Sequence, residues 1–112
     1  IKFNPQLKQL FDRLYIKYKL SLCSNSRSEF VFKCLNVLQL WQFESVFSRD
    51  YGPAKPDPWM YNRAMEISGV TPDQTVIFED SPVGIDAAKR SGARVVEVAD
   101  SLDLMSRLAD LL

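Results

Sequence analysis

The chain has 112 residues, 46% of them hydrophobic, which is enough for one hydrophobic core and too few for two. We therefore expect residues 1–112 to form a single domain or a portion of one. Basic and acidic residues balance at 14 each, which disfavours nucleic acid and anionic membranes as partners. No apolar run approaches the ~20 residues of a membrane helix and no signal segment opens the chain, so we expect a cytoplasmic protein.

The first half of the chain alternates helix and strand patterns. Apolar residues at three- and four-residue spacing predict an amphipathic helix over residues 5 to about 18. A strand over residues 19–23 then enters the polar turn 24–26. A second helix is predicted near residues 29–40, with Ser26 or Ser28 as its N-cap, and a brief strand at 46–48. Cys23 and Cys34 fall in a strand and a helix, which predicts buried thiols without a disulfide or metal.

The second half begins with a loop that cannot be regular structure, because Pro53, Pro56 and Pro58 remove backbone donors. This loop carries Lys55. A third helix follows, capped by Asp57 and ended by Gly69. The buried strand 76–78 runs into two acids, and then come a helix over 82–90, a strand over 94–98 and an apolar-faced helix over 102–112. This alternation predicts an α/β fold, a parallel sheet with helices on both faces.

Three groups of polar residues lie at predicted strand ends or in the loop between them: Ser24 with Asn25, Lys55, and Glu79 with Asp80. Ligands of parallel α/β sheets bind at the carboxyl ends of the strands. A hydroxyl, an ammonium and a carboxylate pair can together hold a phosphoryl group and Mg²⁺. Singly they could be a helix cap, a solvated charge and a turn acid. The three together indicate a phosphate and magnesium site. The absence of histidine excludes Ser-His-Asp and Cys-His catalysis.

At these positions the chain resembles the haloacid dehalogenase (HAD) superfamily. Residues 20–25 are similar to its second motif, an apolar strand ending in Ser or Thr, and Lys55-Pro56-Asp57-Pro58 is similar to the third. Residues 78–92 are similar to the fourth motif, in the form typical of the β-phosphoglucomutase and phosphoglycolate phosphatase branch. The resemblance implies a Rossmann-like core and Mg²⁺-dependent phosphoryl transfer through an aspartyl-phosphate, with a small phosphorylated metabolite, such as a sugar phosphate, as substrate.

The resemblance also implies a role for each site residue. Ser24, assisted by backbone N–H groups around Asn25, would bind phosphoryl oxygens. Lys55 would neutralise charge on the nucleophile and the transferring group. Asp80 would bind Mg²⁺, and Glu79 would bind the same ion or anchor Lys55. Two further charged residues, Asp86 and Arg27, are interpreted as surface residues.

The first motif of the family, Asp-x-Asp after an apolar strand, has no counterpart, since no two aspartates are separated by one residue. The helical cap that precedes the second motif in this branch is also absent. In the resembled fold, the first-motif strand lies between the strands ending at Cys23 and Glu79, so we expect an incomplete core with two unpaired inner edges. We expect a preceding segment or a companion chain to fill this gap, and no turnover from these residues alone. The alternative is a non-catalytic, truncated HAD-like module that binds Mg²⁺ and phosphate, or a partner protein.

Overall fold

The computed structural model describes all of residues 1–112 as five α-helices and four strands, in the predicted alternating order. The elements are α1 (Pro5–Lys17), β1 (Leu20–Cys23), α2 (Ser28–Leu38), β2 (Phe43–Phe47), α3 (Trp59–Ser68), a short 3-10 helix (Pro72–Gln74), β3 (Val76–Glu79), α4 (Pro82–Ser91), β4 (Arg94–Glu97) and α5 (Ser101–Ala109). Strand β2 begins three residues before its predicted start and ends before Ser48. None of the helices combines the length and the apolar character needed to cross a membrane.

Two predicted helix caps are wrong. Helix α2 has Arg27 at its N-cap and receives no cap from Ser26 or Ser28. Ser28 lies within the first turn, where its own N–H and hydroxyl donate to the Asp50 carboxylate at 3.0 and 2.6 Å. Helix α3 has Pro58 at its N-cap, one residue later than predicted, although Asp57 still accepts the Trp59 N–H at 2.9 Å.

Other helix ends agree with the sequence. The Ser81 hydroxyl accepts the Gly84 N–H at 3.1 Å and so caps α4. Helix α3 ends at Gly69, whose φ of 68° lies in the left-handed region that glycine adopts without strain. Local sequence therefore determines where α4 begins and where α3 ends.

The four strands form two separate parallel pairs rather than one sheet. Strand β1 pairs with β2, and β3 pairs with β4, while β1 and β3 share no backbone hydrogen bond. Their inner edges border an apolar groove of about 450 Å³, which we call the inter-sheet groove; its lining includes residues 20–23 and 74–78. The predicted core that lacks a central strand is therefore what the structure shows.

Helices cover both faces of β3. Alternate residues of a strand point to opposite sides, so neighbouring residues of β3 contact different helices. Ile77 packs with Tyr61, Met65, Ala87 and Ala88 of α3 and α4. Phe78 packs instead on the cluster that α1 and α5 form with Leu10, Leu14 and Leu108. A third cluster, Val31, Leu35 and Leu40, lies under α2. The core is thus divided into three clusters, and the first two line the inter-sheet groove.

Candidate active site

The predicted site residues all line one pocket of about 360 Å³ at the carboxyl ends of β1 and β3. The pocket lining includes Ser24, Asn25, Lys55, Glu79 and Asp80. Parallel strands place their carboxyl ends at the same edge of a sheet, and the loop before α3 brings in the lysine. The structure therefore brings together side chains that are up to 56 positions apart in the chain.

Lys55 is a buried, paired cation rather than a solvated loop charge. Its side chain is only 7% exposed. The ammonium donates to Glu79 Oε2 and to the Cys23 carbonyl, both at 2.8 Å, and lies 5.2 Å from the centre of the Tyr61 ring. Burial of a charge is costly unless it is paired and hydrogen-bonded. These contacts satisfy that condition and fix the ammonium at the pocket.

Both oxygens of the Glu79 carboxylate are engaged by hydrogen bonds. Oε2 accepts from Lys55 Nζ at 2.8 Å and from the Tyr61 hydroxyl at 2.5 Å, while Oε1 accepts from the Asp80 N–H and from the N–H and hydroxyl of Ser81. Burial alone would raise the pKa of Glu79, but the bonds from Lys55 and Tyr61 outweigh it and lower the pKa to about 2. The resemblance left two roles open for Glu79, a ligand of Mg²⁺ or an anchor for Lys55. This geometry favours the role of anchor.

Asp80 has the opposite surroundings. It is exposed at the pocket, and its carboxylate makes no hydrogen bond or ion pair within the chain. The structure contains no group of three or more His, Cys, Asp or Glu side chains that could hold a metal ion. Mg²⁺ is often bound by one or two carboxylates together with waters and phosphate oxygens. A single free carboxylate in a pocket that also contains a lysine and a serine hydroxyl fits that mode of binding.

Asn25 has a contact that the sequence did not predict. Its Oδ1 accepts the Lys55 backbone N–H at 2.9 Å, and its Nδ2 donates to the Lys55 carbonyl at 3.1 Å. The side chain therefore clamps the lysine-bearing loop to the end of β1. Ser24 lies alongside, where its Oγ accepts the Ser26 N–H at 3.0 Å and its hydroxyl proton has no acceptor within the chain. That proton remains available to a ligand in the pocket.

Sequence reasoning missed four residues of the site. Tyr61, in α3, contacts both Lys55 and Glu79. Asp100 and Ser101 line the pocket, and their place between the end of β4 and the start of α5 was the available signal. The fourth is Gly84, where a Cβ would overlap the Glu79 carboxyl group, so α4 approaches the strand end closely only because position 84 has no side chain.

The predictions for the remaining polar residues have mixed outcomes. Asp86 and Arg27 lie outside the pocket and pair with Arg90 and Glu29 at 3.2 and 3.4 Å, which confirms them as surface residues. The two cysteines are free, as predicted, but only half-buried. Cys23 lies on the inner edge of β1 and lines the inter-sheet groove, so part of its side chain is exposed. Burial still raises the pKa of its thiol to about 12.

Two parallel strand pairs covered by helices define a Rossmann-like α/β domain, and polar residues gather in one pocket at the carboxyl ends of β1 and β3. A family model described as "Haloacid dehalogenase-like hydrolase" matches residues 1–98. The chain therefore belongs to the haloacid dehalogenase-like hydrolases, as its motifs predicted, and the relatives below agree with the predicted branch.

The chain is similar to several curated proteins and solved structures. It is 32% identical over 107 residues to a phosphorylated carbohydrates phosphatase from Thermotoga maritima, covering 92% of this chain and 50% of that protein. It is 31% identical over 93 residues to a phosphoglycolate phosphatase from Aquifex aeolicus, covering 80% and 44%. A crystal structure of a haloacid dehalogenase-like protein from Agrobacterium tumefaciens, 30% identical, superimposes with a TM-score of 0.75 and coverages of 95% and 51%. The chain thus spans about half the length of these relatives.

Proposed function

We propose that the natural protein carrying this chain is a Mg²⁺-dependent phosphatase or phosphomutase that acts on a small phosphorylated metabolite, such as a sugar phosphate. The observation that carries the proposal is the convergence in one pocket of the paired Lys55, the free Asp80 carboxylate and the Ser24 hydroxyl. Membership of the family supports the reaction class. The names of the Thermotoga and Aquifex relatives, phosphatases of a phosphorylated carbohydrate and of phosphoglycolate, support the substrate class.

In this proposal the chain binds and stabilises the phosphoryl group. The Ser24 hydroxyl and backbone N–H groups near Asn25 hold phosphoryl oxygens, and the Lys55 ammonium neutralises the charge that builds up during transfer. Because that charge spreads over the equatorial oxygens, donors and cations that are already fixed stabilise the transition state most. Glu79 keeps the ammonium in place, since it holds Lys55 Nζ at 2.8 Å.

Asp80 is the proposed magnesium ligand, directly or through water. When bound, the ion would supply further neutralisation of the phosphate charge. Glu79 is excluded from this role in the proposal because both of its oxygens already accept hydrogen bonds. The remaining ligand positions would be taken by waters, by phosphate oxygens and by groups outside residues 1–112.

We also propose that an extended strand, from the same polypeptide or a companion chain, occupies the inter-sheet groove and supplies the attacking carboxylate. The inner edges of β1 and β3 carry unpaired N–H and C=O groups, which an added strand would satisfy. Cys23 and Phe78 line both the groove and the pocket, so the groove leads to the site. In the proposal, residues 1–112 alone do not turn over, because the Asp80 carboxylate is assigned to Mg²⁺ and the attacking carboxylate comes from the added strand.

The decisive test is a phosphatase assay of the complete protein with a panel of sugar phosphates, with and without Mg²⁺. Asp80→Asn should lower kcat by roughly 100-fold or more while the fold persists, because the exposed carboxylate carries no structural contact. Asp86→Asn is the matched control, since Asp86 pairs only with Arg90 on the surface of α4, and it should retain wild-type activity. Full activity in Asp80→Asn would refute the assignment.

The same assay separates the alternative function. A complete protein that hydrolyses none of the panel, yet binds Mg²⁺ or inorganic phosphate in calorimetry, would be a non-catalytic module. A cytoplasmic location is part of the main proposal. The two unpaired cysteines support it, because reducing compartments keep thiols free.

A further inference from the structure

Tyr61 lies behind the pocket and contacts both members of the buried ion pair. It is only 7% exposed. Its hydroxyl donates to Glu79 Oε2 at 2.5 Å, which is the same oxygen that receives Lys55 Nζ at 2.8 Å. The face of its ring lies 5.2 Å from the ammonium. One aromatic side chain therefore touches the carboxylate through its polar end and the cation through its apolar face.

The side chain of Tyr61 does not reach the pocket. The residues that line the pocket include Lys55 and Glu79 but not Tyr61. A ligand in the pocket would contact the ammonium and have no access to the tyrosine. Tyr61 instead lines the inter-sheet groove. Its effect on a reaction in the pocket would therefore be indirect, through Lys55 and Glu79 or through the strand proposed for the groove.

The two contacts restrict different motions. The short hydroxyl bond opposes rotation of the Glu79 carboxylate, and hydrogen bonds to ionised groups are among the strongest in proteins. The ring blocks one side of the ammonium and attracts it by a cation–π interaction. Burial, together with the neighbouring Glu79, raises the pKa of Tyr61 well above its usual range, so the hydroxyl stays a donor.

We propose that Tyr61 is a positioning residue that holds the Lys55 ammonium at the phosphate pocket, through Glu79 on one side and through its ring on the other. The inference rests on the proposed phosphoryl transfer for its kinetic consequence. The geometric claim, that the tyrosine confines the lysine, stands on the contacts alone.

The kinetic test uses the complete protein and two substitutions. Tyr61→Phe removes the hydroxyl and keeps the ring, and it should lower kcat by about 10-fold. Tyr61→Leu removes both contacts and should lower kcat by about 100-fold, because small misplacements of a catalytic group cost that much. KM should change by less than about 2-fold, since fixed positioning acts on the transition state. Tyr15→Phe is the control, because Tyr15 is 61% exposed and its hydroxyl has no hydrogen bond.

Two kinetic results would overturn the proposal. One is wild-type kcat in both Tyr61 variants. The other is an increase of KM with unchanged kcat, which would indicate a substrate contact rather than positioning. Because Tyr61→Phe keeps the volume of the buried ring, it maintains the test even if Tyr61→Leu does not fold.

A second readout does not depend on activity. Acetylation of Lys55 by an amine-reactive reagent, followed by peptide mass spectrometry, should be slow in the wild type and severalfold faster in Tyr61→Leu. Lys89, which is 64% exposed, provides the internal reference. An unchanged Lys55 rate in folded Tyr61→Leu would refute the confinement of the lysine. If Lys55 is acetylated faster in Tyr61→Leu but the wild type hydrolyses no phosphate ester, the proposed function fails and the positioning role stands.

Discussion

Lys55 and Glu79 form an ion pair that is almost completely shielded from solvent. Its side chains are 7% and 9% exposed, and the loss of hydration offsets most of the attraction between buried charges. Such a pair contributes little net stability compared with apolar residues of similar size. Its presence at the end of a strand, facing a pocket, therefore supports the proposed function.

Removing one member of the pair should be costly, because the other is left buried and unpaired. We predict that Lys55→Met lowers the free energy of unfolding of the complete protein by roughly 3–5 kcal/mol, measured by urea denaturation. The double variant Lys55→Met/Glu79→Gln should recover most of that loss. Lys89→Met is a suitable control, because its pair with Glu97 is 3.8 Å long and largely exposed and should contribute nothing measurable. Equal losses in the single and double variants would contradict this account.

At the scale of single elements, helix α2 shows that a helix can depend on a residue outside it. Its N-cap residue, Arg27, forms no side-chain cap. The carboxylate of Asp50, in the loop after β2, accepts both the N–H and the hydroxyl of Ser28. An anion at this end also interacts favourably with the helix dipole. The start of α2 and the loop after β2 are therefore coupled.

We predict that Asp50→Ala loosens the first turn of α2. The amides of residues 30 and 31 should exchange with solvent severalfold faster, as measured by hydrogen exchange, while α4 is unaffected. The hydrogen bond from Ser28 lowers the pKa of Asp50 below its ordinary value of 3.8, so the protection should be complete above that pH and decline below it. Asp110→Ala, at an exposed aspartate without side-chain contacts, should leave the exchange unchanged. Identical exchange in both variants would exclude the capping role.

At the scale of the whole molecule, the division of the core is the dominant feature. Only 19 of the 112 residues are buried, and most of the buried apolar residues fall into three clusters rather than one. The two strand pairs leave their inner edges unsatisfied on either side of the inter-sheet groove. Unpaired strand edges and a divided apolar core are the features that an additional central strand would remove.

We predict that residues 1–112 expressed alone unfold without cooperativity, bind a hydrophobic dye and tend to self-associate. The complete protein, examined in parallel, should unfold in a sharp transition and exclude the dye. A soluble, cooperatively folded monomer of residues 1–112 with well-dispersed side-chain NMR signals would contradict the proposed strand. A discrete, dye-excluding dimer would contradict it too, because a second copy would then be the occupant of the groove.

The sequence by itself determined the order of the elements and the positions of the candidate site residues. Helix and strand periodicities are local, and so are the caps formed by Ser81 and Gly69. The rule that ligands bind at the carboxyl ends of parallel strands then selected Ser24 and Asp80, and Lys55 in the proline-rich loop was added as the cation that a phosphoryl group requires. The sequence was sufficient for the elements because periodicity and capping each depend on residues that are close in the chain.

The tertiary structure alone decided how the site residues support one another. The clamp of Asn25 on Lys55, the Glu79 anchor of Lys55 and the Asp50 cap of α2 join residues that are 30, 24 and 22 positions apart. No periodicity relates such residues, because their distance depends on how the strands and helices pack. Packing also distinguished two adjacent acids, since the close approach of α4 at Gly84 encloses Glu79 and leaves Asp80 free at the pocket.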